Sequence, residues 1–534
     1  MMRIKTLLMS LLMFSVVTLA QKKEYVITNY GAIADGVTNN AAAIQKAIDK
    51  ASKDGGGKVI IPEGNFASGI IAIKSNVELH LKLGARLLGS VNRNDYNKSE
   101  ILALVTAKGQ KNISISGQGI IDGQAQELIK DIFLKLQDGS LFDPMWKYKR
   151  PAEGVRPKLI EFVDCSGISI TGISTKNSTS WVQNYIRCND LTIDNVKVES
   201  TSYWNNDGID ISDCKNVKIT NCFVNAADDG ICLKSESPNE MNENIYIADC
   251  TIRSSASAFK MGTSSHGGFK NVKVRNLNIY DTYRSAIALE CVDGGILENI
   301  DIEKVTAKNT GNAIFIKLGN RKDVSPGIIK GVRIADVKAE VPLRKPDLGY
   351  PFEGPPDHLR YRYNKGTKER PDLGYPYTGE PNYPYNLIPS SITGLPGHNV
   401  QDITLENIEI IFGGSSDKNL AQIRLDQLNN IPEKGGDYPE FSMFGELPAW
   451  GIYVRHADGI IMKNVKLSFK EDDFRPALIF DDVVNVELEN IEIPTVKELP
   501  IFVFNNSNYK SIKNVKVPAA LEESIKEQNK RESK

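Results

Sequence analysis

The sequence has no excess of charge of either sign. Its 534 residues carry 65 Lys and Arg against 66 Asp and Glu, for a net charge of -1. That balance excludes the electrostatic footprint of a nucleic-acid binder or of a protein held to an anionic membrane. After the amino terminus there is no apolar run long enough to cross a bilayer. No Cys-x-x-Cys pair occurs, and the seven cysteines (Cys165, Cys188, Cys214, Cys222, Cys232, Cys250 and Cys291) are odd in number. A zinc site and a disulfide framework are therefore not expected, and the cysteines read as small buried apolar residues.

What is present begins with a processing signal. Arg3 and Lys5 precede an apolar run over 7–20 that ends Thr18-Leu19-Ala20, followed by polar Gln21, Lys22 and Lys23. This pattern reads as a cleavable signal peptide over 1–20, cut after Ala20, and predicts a secreted or periplasmic protein.

A short phrase then recurs: Asn, Asp or Gly followed by alternating apolar residues. Copies include Asn112-Ile113-Ser114-Ile115, Gly167-Ile168-Ser169-Ile170, Asp190-Leu191-Thr192-Ile193, Asn216-Val217-Lys218-Ile219, Asn244-Ile245-Tyr246-Ile247 and Asn271-Val272-Lys273-Val274. Later copies start at Asp402, Asn485 and Asn514. Alternation with period two says strand. A repeat of about 25 residues says that each unit is one coil of a solenoid, able to bury its apolar face only by stacking on its neighbours. The Leu/Asn consensus of leucine-rich repeats and the 3.6-residue period of helical repeats are both missing, which leaves an all-β parallel β-helix. Thr38-Asn39 can cap a helix over 40–53, with Ala42, Ile44, Ala47 and Ile48 on one face, stopped by Gly55-Gly56-Gly57. Such a helix would cover the first coil. The β-helix domain is expected over 21–520, with a charged tail or closing helix over 521–534.

The stretch 341–390 breaks the pattern. It duplicates Lys345-Pro346-Asp347-Leu348-Gly349-Tyr350-Pro351 as Arg370-Pro371-Asp372-Leu373-Gly374-Tyr375-Pro376, and adds Tyr361, Tyr363, Tyr383 and Tyr385. Proline at this density excludes central strands. The stretch is expected to be an inserted loop that either stacks on sugar rings at one end of a cleft or packs on its own coil.

The segment richest in chemistry is Trp204-Asn205-Asn206-Asp207-Gly208-Ile209-Asp210, followed by Ala226-Ala227-Asp228-Asp229-Gly230-Ile231. Asp207 and Asp228 lie nearly one coil apart, so stacking would bring them to about 4.8 Å, the spacing of neighbouring strands. Carboxylates that close disfavour joint ionisation, so one holds a proton. A protonated acid beside an ionised one is what glycosidic hydrolysis requires. Asp-Gly turns and a calcium site are the competing readings of the same residues.

These residues resemble glycoside hydrolase family 28, the polygalacturonase family of the pectin lyase-like superfamily. Asn205-Asn206-Asp207 and Asp228-Asp229 match its two acidic phrases, and Asn29-Tyr30-Gly31-Ala32 with Asp35-Gly36 and Gly55-Gly56-Gly57-Lys58-Val59-Ile60-Ile61-Pro62 match its amino-terminal coils. The resemblance implies a right-handed β-helix and an inverting hydrolase of pectin-type α-glycosidic bonds. It implies Asp228 as general acid, Asp207 and Asp229 activating water, Asn205 near the substrate, and neither metal nor organic cofactor. The partner would be a pectic poly- or oligosaccharide, with no nucleic acid and no membrane insertion, and the expected state is a monomer.

Two family phrases are altered. Ser257 stands where a histidine is expected, with His266 nine residues on. Ala288-Leu289-Glu290 replaces the Arg-Ile-Lys that grips a substrate carboxylate. Lys234, Lys260, Arg284 and Lys317 are the candidates to restore the lost charge, Lys234 and Lys260 first. The departures shift the expectation from smooth galacturonan toward branched or mixed pectin, or toward an exo-acting enzyme. A polysaccharide lyase and a non-catalytic carbohydrate-binding β-helix remain the alternatives.

Overall fold

The computed structural model describes residues 23–529, apart from 98, 145, 147–150, 322–323, 344–345, 347–385, 415–417, 419–423 and 446. The expected signal peptide and the tyrosines of the 341–390 loop lie outside the described residues. Only 11% of the described residues are helical, and the strands stack in parallel into a right-handed parallel β-helix.

The recurring phrase explains the stacking. Its apolar residues form one ladder through the core: Ile113, Ile168, Leu191, Val217, Ile245, Val272, Ile300, Val332, Ile403, Ile460 and Val486 are each in register with the next. All of them are buried. The residue just before each apolar one has positive φ, for example Asn112 (54°), Asp190 (55°), Asn216 (56°), Asn244 (58°) and Gly331 (66°). The left-handed region is cheapest for Gly, Asn and Asp, which is why those types mark the corners of this ladder, although Arg187, Lys304 and His456 also adopt it elsewhere. The corner amides also bond from coil to coil, Asn244 Nδ2 to Asn216 Oδ1 at 3.2 Å and Asn271 Nδ2 to Asn244 Oδ1 at 3.1 Å.

The ends are closed as a solenoid requires. Helix α1, Ala41–Lys53, buries Ile44, Ala47, Ile48 and Ala51 against the first coil. It starts one residue later than the sequence suggests. Asn39 Oδ1 accepts the Ala41 N–H at 3.0 Å, while the Asn40 amide turns away to the carbonyl of Ala67 at 3.1 Å. A second helix α2, Ala125–Gln137, is not predicted by a strand-period reading; it buries Leu128, Ile129, Ile132, Phe133 and Leu136. At the other end the charged stretch is not simply a tail. A single turn, Leu521–Ser524, leads into strand Ile525–Gln528, which pairs with Phe502–Asn505 and completes the last coil. All seven cysteines are free and buried, as their apolar reading requires.

One outward row positions the site. Thr106, Glu161, Asn184, Asp210, Cys232 and Lys260 occupy matching positions on successive strands. The row then changes character, to Ala288, Phe315, Ser391, Tyr453, Ile479 and Val503. Beyond Lys260 this face is covered. Leu428, Ile431, Phe441, Met443, Phe444, Leu447 and Ala449 pack on Ala288, Phe315, Tyr453, Ile479 and Val503 as a second apolar core outside the helix.

Candidate active site

The three acids sit where two coils turn into this sheet. Ile209 pairs with Ile231, an offset of 231 − 209 = 22 residues, so Asp207 stacks on Asp229 rather than on Asp228. The backbone bonds agree. Gly208 donates its N–H to the carbonyl of Asp229 at 2.9 Å, and Gly230 donates to the carbonyl of Ser257 at 2.8 Å. The expected pairing of Asp207 with Asp228 is therefore corrected by one residue. Glycine is required at both turns by close approach. A Cβ on Gly208 would lie 2.6 Å from the carbonyl oxygen of Gly230, and one on Gly230 would lie 2.6 Å from that of Ala258.

One carboxylate oxygen from each of Asp207, Asp228 and Asp229 lies within 4.8 Å of the other two. Their surroundings set them apart. Asp228 is partly exposed, and its Oδ1 accepts the Asp229 N–H at 3.0 Å. Burial, together with the charges of Asp207 and Asp229, pushes it up to about 7. Burial acts on Asp229 too, but Lys260, Lys234 and Arg284 outweigh it and hold its carboxyl below the usual range. Asp229 Oδ2 lies 3.0 Å from Lys260 Nζ, and its Oδ1 accepts the Ser257 N–H at 3.1 Å. Burial raises Asp207, against the pull of Lys234 at 2.8 Å. Below about pH 7 the site thus holds a proton on Asp228 beside a charge on Asp229, an acid and a base on one small surface. The same three oxygens could also ligate a cation. To bind there it would have to displace ammonium groups already 2.8 and 3.0 Å from Asp207 and Asp229.

The structure brings Lys234, Lys260 and Arg284 to the acids but engages each of them internally. Lys234 is shared by Asp207 at 2.8 Å and Asp210 at 2.5 Å, with its ammonium 4.4 Å from the Trp181 ring centroid. Lys260 holds Asp229, donates to Tyr438 Oη at 3.0 Å, and lies 3.8 Å from Glu290. Arg284 pairs with Glu440 at 3.3 Å. Lys234 and Lys260, expected as ligands of a substrate carboxylate, stand here as partners of Asp207 and Asp229.

The other candidates stand apart. Asn205 Oδ1 accepts from Arg156 Nη2 at 2.7 Å, so its amide braces the turn. Lys317 is buried under the apolar cover, where its Nζ donates to the carbonyl of Glu433 at 2.9 Å and packs on the Phe444 ring. His266 follows Ser265 at the far end of strand Phe259–Ser265, whereas Asp229 meets Ser257 at the near end. The His266 N–H donates to the carbonyl of Ser235 at 2.8 Å, on the neighbouring coil. Sequence reasoning misses Asp210, Tyr438 and Glu440. Asp210 had a signal, an acid between inward Ile209 and Ile211 on a strand. Tyr438 and Glu440 had none, because they arrive from an irregular segment more than 150 residues downstream, a separation of 178 for Lys260 and Tyr438.

The model of "Glycosyl hydrolases family 28" matches residues 52–341. A probable polygalacturonase of Vitis vinifera is 25% identical over 305 residues, covering 55% of this chain and 56% of the relative. An exo-poly-alpha-D-galacturonosidase of Dickeya chrysanthemi is 24% identical over 306 residues, covering 48% of this chain and 50% of that one. The chain thus spans about half the length of these curated relatives. The crystal structure of an exopolygalacturonase from Thermotoga maritima shares the fold, with a TM-score of 0.54 and 24% identity over 74% of this chain and 87% of that one. The apolar cover and Tyr438 lie beyond the matched region.

Proposed function

The chain belongs to glycosyl hydrolases family 28, and on that premise we propose that it hydrolyses α-glycosidic bonds in pectin-type poly- or oligosaccharides. Asp228 protonates the leaving oxygen, and Asp207 and Asp229 direct a water at the anomeric carbon. The observation that carries this reading is the split of one carboxylate cluster into a group raised to about 7 and a neighbour held below the usual range. A lyase would need a neutral base to remove a carbon-bound proton. Lys234 and Lys260 are poor candidates, because the acids around them keep both ammoniums charged despite burial.

We propose inversion at the anomeric carbon. The closest oxygens, within 4.8 Å, are nearer than the ~6.5–9.5 Å between carboxyl groups common among inverting enzymes. What favours water as the nucleophile is that Asp207 and Asp229 are each tied to an ammonium, at 2.8 and 3.0 Å. Proton NMR of the first-formed product decides the point: the opposite anomer supports inversion, and the same anomer identifies an aspartate nucleophile.

End-on action fits the outward face. Its row is buried throughout but mostly polar and charged up to Lys260, and packs under an apolar cover from Ala288 onward. A chain crossing the acids in that direction would meet Tyr438. Exo action predicts that monomers or dimers appear first, with little early loss of viscosity. Export through the amino-terminal segment is part of the same proposal, tested by finding Gln21 as the first residue of the mature protein.

A further inference from the structure

The cations around the acids are all committed within the protein. Lys234 serves Asp207 and Asp210, and Lys260 serves Asp229 and Glu290. Arg284 serves Glu440, and Arg321 makes two 2.8 Å bonds to Asp293. Near the reacting centre the carboxylates of Asp207, Asp210, Asp229 and Glu440 face Lys234, Lys260 and Arg284, four acids to three bases, with Asp228 and Glu290 each pushed up to about 7 beside them. A substrate carboxylate arriving here would have to take a cation from an internal acid, leaving that acid buried and uncompensated.

The two altered positions point the same way. Ala288 is fully buried under Phe441, Met443 and Phe444 and their neighbours, so the place of the expected arginine is apolar and closed. Glu290 is 1% exposed, and its Oε2 makes no hydrogen bond among the described residues. It lies 3.8 Å from the Lys260 ammonium, and burial pushes its carboxyl up to about 7, so no positive charge stands where a lysine would have placed one. In front of Lys260 stands Tyr438, 48% exposed, with the Lys260, Arg284 and Arg321 cations 5.2, 6.0 and 6.0 Å from its ring centroid. Those cations engage the ring and leave its exposed part to solvent. An exposed aromatic ring is a surface for the C–H face of a sugar, and it asks for no charge on that sugar.

We propose that the sugar seated against Tyr438, next to the bond that is cut, is uncharged, and that Tyr438 and Glu290 are specificity-determining residues for it. The substrate class is then a pectic chain in which a neutral sugar adjoins the cleaved linkage, not a run of uronic acids. This rests on the hydrolase reading above.

The test compares kcat/KM on two defined oligosaccharide series, all-galacturonate oligomers and oligomers in which galacturonate alternates with a neutral sugar, for the wild type, Tyr438→Ala and Glu290→Lys. The expected result is a preference for the mixed series of roughly tenfold or more. Tyr438→Ala should raise KM on the mixed series with kcat little changed. Glu290→Lys should narrow the preference by speeding the all-galacturonate series. Equal or faster turnover of the all-galacturonate series by the wild type overturns the inference and leaves the hydrolase reading standing. Folded wild-type enzyme that cuts neither series, nor any pectic polysaccharide, overturns both.

Discussion

Lys234 Nζ stands 2.8 Å from Asp207 Oδ2 in a site where both side chains are 6% exposed. The same ammonium is 2.5 Å from Asp210 Oδ1, so one cation compensates two buried carboxylates from a single strand entry. Removing it leaves two acids without a partner. Lys234→Met is expected to lose about 3–5 kcal/mol of stability, the cost of breaking a buried ion pair from one side. Adding Asp210→Asn should restore part of that loss. Chemical denaturation of the three proteins measures both effects, and an unchanged midpoint for Lys234→Met would show that the pair carries no structural load.

Asp228→Asn keeps the shape of the acid and removes its proton. It should lower kcat by about 10²–10⁴, the range of a general acid, while substrate binding is retained. Calorimetric titration with a slow oligosaccharide separates the two; loss of binding with normal residual turnover would remove Asp228 from the mechanism.

The pH dependence follows from the same residue. Asp228 must be protonated to act, and its folded value is about 7. The rate should therefore fall about tenfold per pH unit above about 7. Asp229 is held low but Asp207 is raised by burial, so on the acid side activity should fall first as Asp207 takes up a proton. Stability also falls as pH rises. A carboxyl at about 7 in the folded state and near ~3.9 unfolded makes the wild type lose stability as pH rises between those values. Asp228→Asn escapes that loss, so its melting temperature should exceed the wild type's at pH 8 and approach it at pH 4. A variant that melts below the wild type at pH 8 contradicts the raised value.

Gly208→Ala inserts a Cβ 2.5 Å from Val224 Cγ1 and 2.6 Å from the Gly230 carbonyl oxygen. Over-packing of this kind costs about 1–3 kcal/mol. It also spreads the coils that stack Asp207 on Asp229, so kcat should fall more than KM changes. Wild-type kinetics in a correctly folded Gly208→Ala would show that this spacing is not critical.

Much of the fold was legible because one physical constraint repeats. Left-handed corners favour Asn, Asp or Gly, and inward residues favour Ile, Val or Leu, so the ladder from Ile113 to Val486 is written in coil after coil. The acids were legible as a set, but not their stacking order, since a coil of 22 residues and one of 21 look alike without the bonds of Gly208 and Gly230. The partners of Lys234 and Lys260 were not legible as such, because alternation says that a lysine faces outward and not what it meets there. The apolar cover left a faint trace. Strands such as Ala313-Ile314-Phe315-Ile316 and Ala477-Leu478-Ile479-Phe480 are apolar on both faces, the mark of a sheet covered on both sides. Nothing local says that residues 424–449 supply that cover.

The most direct test of hydrolysis at the three aspartates is digestion of pectic oligosaccharides in water labelled with heavy oxygen, with products read by mass spectrometry for wild type and Asp228→Asn. The account predicts one labelled oxygen at the new reducing end for each bond cut, no ultraviolet-absorbing unsaturated product, no effect of a chelator, and near silence from Asp228→Asn. Products lighter by the mass of water and absorbing in the ultraviolet, or label incorporation undiminished in Asp228→Asn, would contradict it.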